Sequence, residues 1–344
     1  MAYTTIPKPT DYFNTKLYSG TGSSNALTGL NFQPDFVWIK NRTDTSNHRA
    51  FDAVRGANKR LTPNDTGAET TTTQELMSFN SNGFTVGTET DVNGSGQNFV
   101  SWNWKANGAG SSNTDGSITS TVSVNTTSGF SIVKYTGNGL AGATIGHGLG
   151  AVPKMTIIKS MTAGEDWIIP PLNDPTNYIV LNSTGTPGNG VGPFNNTAAT
   201  SSVFSVGTWG TTNGNSQTLL AYCFAEKQGF SKISSYIGNG SATAPPFIYL
   251  GFKPAFVLLK NTTQADSWFL HDSKRDGFND DNEYLRPNLT DGDSSGINRI
   301  RLLSNGFSVP TTDKSHNVNG NNYIYMAFAE EPLVSTNGIP ATAR

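Results

Sequence analysis

The sequence predicts an all-β protein of three tandem β-sandwich units, jelly-roll or lectin-like, each about 100 residues long and with little or no helix. Three observations predict it. Of 344 residues, 36 are Asn, 33 Ser, 43 Thr and 37 Gly, all types that favour caps, turns and strands over helix interiors. Apolar residues come in short runs bounded by Pro, Gly and Asn, which read as buried strands rather than amphipathic helices. The chain also repeats one pattern three times.

Each repeat opens with Tyr-x-Gly-x-Gly, at Tyr18 to Gly22, Tyr135 to Gly139 and Tyr236 to Gly240. The glycines supply turns that need positive φ. A Pro, an apolar strand and a Lys follow, ending at Lys40, Lys159 and Lys260, each six residues past Pro34, Pro153 or Pro254. Pro is tolerated where a strand begins. Eight residues beyond each Lys stands a ring: His48, Trp167 and Trp268. A late strand comes next, at 83–86, 203–206 and 306–309, and an aromatic strand closes each copy, at 99–104, 219–224 and 323–328. The Asn-Gly pairs at 82–83, 93–94, 305–306 and 319–320 read as hairpin turns. The best candidate for a helix is a turn or two within 69–79.

The Lys residues lie 119 and 101 residues apart (159 − 40 and 260 − 159), so a unit is the size of a small β domain with its own core. The expected organisation is an N-terminal arm at 1–11, repeat one at 12–107, a Gly/Ser linker at 108–116, repeat two at 117–228, repeat three at 229–333 and a C-terminal tail at 334–344. Repeat two gains an extra strand at 118–124. Repeats two and three abut without a linker and are expected to pack as a rigid pair. The tails are expected to contact neighbouring chains.

The net charge of −2 and pI near 6.1, with Lys and Arg scattered, exclude the basic patch of a nucleic-acid binder. No apolar stretch is long enough for a membrane helix, and the N-terminus lacks the apolar core of a secretion signal. The single cysteine, Cys223, cannot form an intrachain disulfide and reads as a buried thiol. These features suit synthesis in a reducing cytosol.

Repeats one and three share a second motif. Asp52 and Arg55 match Asp272 and Arg275, each Asp twelve residues past the strand Lys, and each motif is followed by Leu-x-Pro-Asn. Repeat two has Pro171 in the Asp slot. With His48 and Trp268 beside them, these groups form a candidate ligand site, in which a ring stacks on a sugar and a carboxylate takes its hydroxyls. The competing reading is an ion pair that pins a loop. Asp276, Asp280, Asp281 and Glu283 form an acidic cluster of the kind that binds Ca2+, but the spacing matches no EF-hand, the other repeats lack the cluster, and a solvated loop is the better reading. No other cofactor is expected. Neither a Gly-x-Ser-x-Gly elbow nor His-Glu-x-x-His is present, so no catalytic residue is assigned and the expectation is a non-enzyme.

The opening MAYTTIPKPTDYFNTKLYSGTG, with GLNFQPDFVWIKNR, FDAVRG, YLGFKPAFVLLKN and YIYMAFAE, resembles virion proteins of tailed phages of marine and freshwater bacteria, cyanophages included. The resemblance spans all three repeats and names no catalytic residue. It implies a structural or appendage protein on the virion surface, made in the host bacterial cytoplasm. Its partners would be other virion proteins and copies of itself, a trimer if it is a fibre, with host surface glycans as a further contact. A receptor-binding tail fibre is the alternative, and a glycan hydrolase a remote one. The position of the rings discriminates: a core location favours structure, a solvent-facing cluster favours binding.

Overall fold

The computed structural model describes residues 4–275, 279, 283–295 and 298–334. The expected all-β fold is what it shows. Strands dominate, and the α-helices are two single turns of four residues, Thr90–Asn93 and Gly210–Asn213.

Each repeat builds the same run of four antiparallel strands, in the order opening strand, closing strand, second strand, third strand; in repeats one and three this is the whole sheet, and in repeat two it is the middle of an eight-stranded one. In repeat one these are Phe13–Ser19, Asn98–Trp104, Phe36–Asn41 and Arg49–Asp52. In repeat two they are Phe130–Thr136, Thr218–Phe224, Met155–Ser160 and Ile168–Ile169. In repeat three they are Ser231–Ile237, Asn322–Pro332, Phe252–Asn261 and Trp268–Asp272. The closing strand is central, so residues on both its faces are buried, as its unbroken apolar runs require. A small outer sheet covers one face of each: Asn25–Thr28, Gly83–Val86 and Leu76–Asn80 in repeat one, Ala143–Gly146 with Val203–Val206 in repeat two, and Phe247–Tyr249, Gly306–Ser308 and Arg301–Leu303 in repeat three.

The inner faces meet in one core. Trp104, Phe224 and Phe328 occupy the same position in the three closing strands. Their ring centroids lie 6.2 Å (Trp104–Phe224), 5.6 Å (Trp104–Phe328) and 5.8 Å (Phe224–Phe328) apart. Around this triangle Phe36 stacks on Tyr222 at 4.2 Å and Phe13 on Phe328 at 5.1 Å. The expectation of a separate core for each unit therefore gives way to a common core to which all three contribute. Repeats one and two keep outer cores of their own, around Phe84 and Phe204, whereas the outer core of repeat three is continuous with the centre. Repeats two and three are no more of a pair than any other two.

Other expectations change with it. Residues 69–79 form strands Thr70–Thr71 and Leu76–Asn80, not a helix. The second of these makes a hairpin with Gly83–Val86 through Asn82-Gly83. Gly83 is required there, because a Cβ would lie 1.8 Å from the Leu27 carbonyl oxygen. Asn305-Gly306 is the matching hairpin of repeat three, but Asn93-Gly94 ends a helical turn and Asn319-Gly320 joins no two strands. The supposed linker carries strand Ser111–Asn113, which pairs with Ser120–Asn125. That strand in turn extends the sheet of repeat two, where the extra strand was expected. The N-terminal arm docks on its own chain: Ile6 is fully buried in the common core, and the Thr4 hydroxyl donates to the Gln228 carbonyl at 2.7 Å. Of the C-terminal tail, residues 335–344 lie outside the described residues. Pro254 falls inside its strand rather than before it, at a register shift where the ladder is already interrupted.

Candidate functional site

Some of the repeated landmarks brace their own unit and others cross to the next. The Tyr-x-Gly-x-Gly turn is held from the following segment in the same way three times. The hydroxyls of Tyr18, Tyr135 and Tyr236 donate to the carbonyls of Val92, Thr212 and His316 at 2.6 to 2.7 Å. Next to each acceptor is a buried asparagine the sequence reading missed: Asn93, Asn213 and Asn317. Each Oδ1 takes the N–H after the first glycine, from Thr21, Asn138 and Asn239, at 2.8 to 3.0 Å. Each Nδ2 donates to carbonyls that include those of Gly87, Gly207 and Thr311. Only the second glycine of each motif has positive φ. The first is needed for close approach: a Cβ on Gly20, Gly137 or Gly238 would sit 2.1, 2.4 or 2.3 Å from a backbone oxygen. The signal for these asparagines was their constant place five residues before the closing strand (93 to 98, 213 to 218, 317 to 322).

The strand lysines and the rings cross to the neighbouring unit. Lys40, Lys159 and Lys260 are all buried. Lys159 Nζ donates to the carbonyls of Thr66 in repeat one and Glu165, both at 2.8 Å. Lys260 Nζ reaches Thr184 of repeat two at 3.0 Å, and also Asp266. Lys40 Nζ donates to Asn41 at 2.7 Å, and the carboxylates that act on it most strongly are Asp293 and Asp291 of repeat three. Burial lowers all three ammonium pKa values to about 8.

The rings follow the same circuit. Trp167 Nε1 donates to Thr62 of repeat one at 3.0 Å, and Trp268 Nε1 to Val180 of repeat two at 3.0 Å. His48 Nε2 lies 3.1 Å from the Arg286 carbonyl of repeat three, while its Nδ1 accepts from Trp38 Nε1 at 3.0 Å. This pattern fixes a neutral imidazole protonated on Nε2. Burial, then Lys40, pushes its pKa well below the usual range.

The two Asp/Arg motifs have identical geometry. Asp52 Oδ2 meets Arg55 Nε at 2.5 Å and Asp272 Oδ2 meets Arg275 Nε at 2.6 Å, with all four side chains buried. Each second carboxylate oxygen takes two backbone N–H groups of the turn that follows. Each guanidinium also caps a carbonyl of its third strand, Ala50 or Leu270. Both carboxylates then accept from the next unit's closing strand, Asp52 from Tyr222 at 2.9 Å and Asp272 from Trp102 at 3.0 Å. Burial alone would raise the Asp272 pKa, but Arg275 and these hydrogen bonds outweigh it and hold the carboxyl low. The matching donor position for repeat two is Met326, which has no N–H or O–H to give. The loss of Asp at Pro171 and the loss of its donor thus go together.

None of the six candidate ligand residues, His48, Asp52, Arg55, Trp268, Asp272 and Arg275, turns its side chain to solvent. Of the acidic cluster, Asp276, Asp280 and Asp281 lie outside the described residues. Glu283 is held by Arg42 of repeat one at 2.6 Å, and no group of three or more metal-ligating side chains occurs among the described residues. Cys223 is buried, and burial raises its thiol pKa to about 12. No helix of the described residues is long and apolar enough to cross a membrane. In comparisons with known proteins, one family model matches residues 8–332 and is described as a domain of unknown function (DUF7483). No curated protein and no solved structure matches the chain.

Proposed function

Since the chain belongs to the DUF7483 family of unknown function, we propose its role from the geometry and the sequence resemblance together: a non-enzymatic structural protein on the surface of a tailed-phage particle. One observation carries this reading. The rings and Asp/Arg pairs that could have formed a ligand site are instead spent in the interior, where they tie each unit to the next. A chain whose polar chemistry is used to lock three units together is suited to rigid display. Its surface of Asn, Ser, Thr and Gly suits a particle in salt water, where exposed ion pairs are screened and repeated weak contacts give avidity. The partners of this reading are other particle proteins and further copies of the chain.

Contact with host glycans is a second role. It is favoured by Trp209, which is 37% exposed and packs edge-on against Tyr178 at 5.1 Å. The test is electron microscopy of purified particles labelled with an antibody to this chain. Label on the particle is the expected result: on the capsid it would mark a decoration or head fibre, and on the tail it would promote the adhesion role. Unlabelled particles would overturn the virion reading.

A further inference from the structure

The three seams between units are not stitched alike. At the seam of repeats one and two, Glu69 of repeat one lays its backbone against repeat two, and its N–H donates to the Met161 carbonyl at 2.9 Å. At the seam of repeats three and one, Asp293 does the same to the Arg42 carbonyl at 2.8 Å. Both carboxylates turn back to the guanidinium of their own unit, Glu69 to Arg55 at 3.5 Å and Asp293 to Arg275 at 2.9 Å. A stitch is therefore an extended segment whose acidic side chain answers the motif arginine.

At the seam of repeats two and three the stitch is missing. Thr262 stands where Met161 and Arg42 stand, two residues past the strand Lys. Among the described residues nothing donates to its carbonyl. A cleft of about 300 Å³ opens there. Leu172, Pro187 and Ile324 supply apolar wall, and Asp174, Thr262 and Asn322 supply acceptors. Leu172 and Asn173 adopt left-handed backbone, with φ of 54° and 63°. Such strain persists only where surrounding structure enforces it. Asp174 occupies the slot of the motif arginine, three residues past the Asp position. Burial, the largest single influence, raises its pKa, but the hydrogen bonds from Thr176 and Asn177 together outweigh it and hold the carboxyl below its usual value. The charge in the slot is thus reversed relative to Arg55 and Arg275.

We propose that this cleft is a docking site for an extended peptide segment of a partner protein carrying a lysine or arginine. Its backbone would donate to the Thr262 carbonyl, as Glu69 and Asp293 do at the other seams. Its cation would answer Asp174, and its aliphatic stem would lie along Leu172 and Ile324.

The test uses the full chain and a fluorescein-labelled peptide of residues 66–72, made with Glu69→Lys and, separately, unchanged. The lysine peptide is expected to bind with a sub-millimolar Kd and to shift the Thr262 amide resonance. The unchanged peptide should bind at least about tenfold more weakly, and Asp174→Lys should reverse that preference. Should the variant not fold, the same point is read on the unaltered protein. Binding of the lysine peptide should weaken severalfold between about 0.05 M and 0.5 M NaCl. Equal binding of the two peptides, no binding of either, or indifference to salt would overturn the proposal. So would methyl pyranosides shifting Thr262 where the lysine peptide does not, since that would make the cleft a sugar site.

Discussion

At the scale of single residues, the buried titratable groups make pH the sharpest probe. His48, His147, His271 and His316 are all buried, and burial is the leading cause that depresses each pKa, to about 3 for His271. In the unfolded chain they take protons near pH 6.5. The unfolded state therefore binds more protons on acidification, and stability must fall as pH drops below about 6.5. The lysines act at the other end. Their folded values near 8 lie below the unfolded 10.5, so the unfolded state again holds more protons between those values, and stability rises with pH across that window. Urea midpoints should climb from pH 5 to about pH 9 and then level or fall, because Cys223 and the buried tyrosines, whose pKa values burial raises, lose protons first in the unfolded chain. A flat profile would mean that these groups are solvated. Trp268 belongs here too. It is fully buried, so Trp268→Ala should cost about 3–5 kcal/mol, read as a fall in the urea midpoint; an unchanged midpoint would return the ring to the surface.

At the scale of the element, the turn-and-asparagine device is the unit of construction. Asn213→Ala removes the acceptor for the Asn138 N–H and the donor to the Gly207 carbonyl. Leaving such groups unpaired costs about 1–3 kcal/mol each. Gly137→Ala forces a Cβ to within 2.4 Å of the Gly214 carbonyl oxygen, so the turn and the segment before the closing strand must separate. Both variants should lower the urea midpoint, while Gly108→Ala should do so less, since a Cβ there meets nothing within 4 Å and only its positive φ of 64° is strained.

Strands were the legible part of this architecture. Phe36–Asn41 and its counterparts announce themselves by apolar runs between Pro and Lys, and the order of landmarks predicted the order of strands. Asn93, Asn213 and Asn317 are marked only by their constant spacing before the closing strand, which is easily lost in a chain with 36 asparagines, and their partners lie some seventy residues back, for example Thr21 for Asn93. The Asp/Arg motif was visible as a pattern, but its role was not. What decides that role is the donor from the next unit, Tyr222 for Asp52, 170 residues away.

At the scale of the whole molecule, the seams form a ring. Lysine and ring side chains of repeat two reach repeat one, and those of repeat three reach repeat two. His48 closes the circuit from repeat one to repeat three. This is head-to-tail packing that closes after three units, here within one chain. Sequence periodicity revealed three units but not that they share a centre, since Phe36 and Tyr222, or Phe13 and Phe328, meet only once the circuit is closed. Breaking one buried pair should therefore be felt everywhere. Asp52→Ala strands Arg55 in the interior, which costs about 3–5 kcal/mol, and should expose repeats two and three to hydrogen exchange as well as repeat one.

Differential scanning calorimetry tests the shared core most directly. A shared core melts as one endotherm for the whole chain, with calorimetric and van't Hoff enthalpies equal, moved as a single peak by Asp52→Ala. Two or three resolved transitions, with only one of them shifted by that substitution, would show independent domains and contradict the common core.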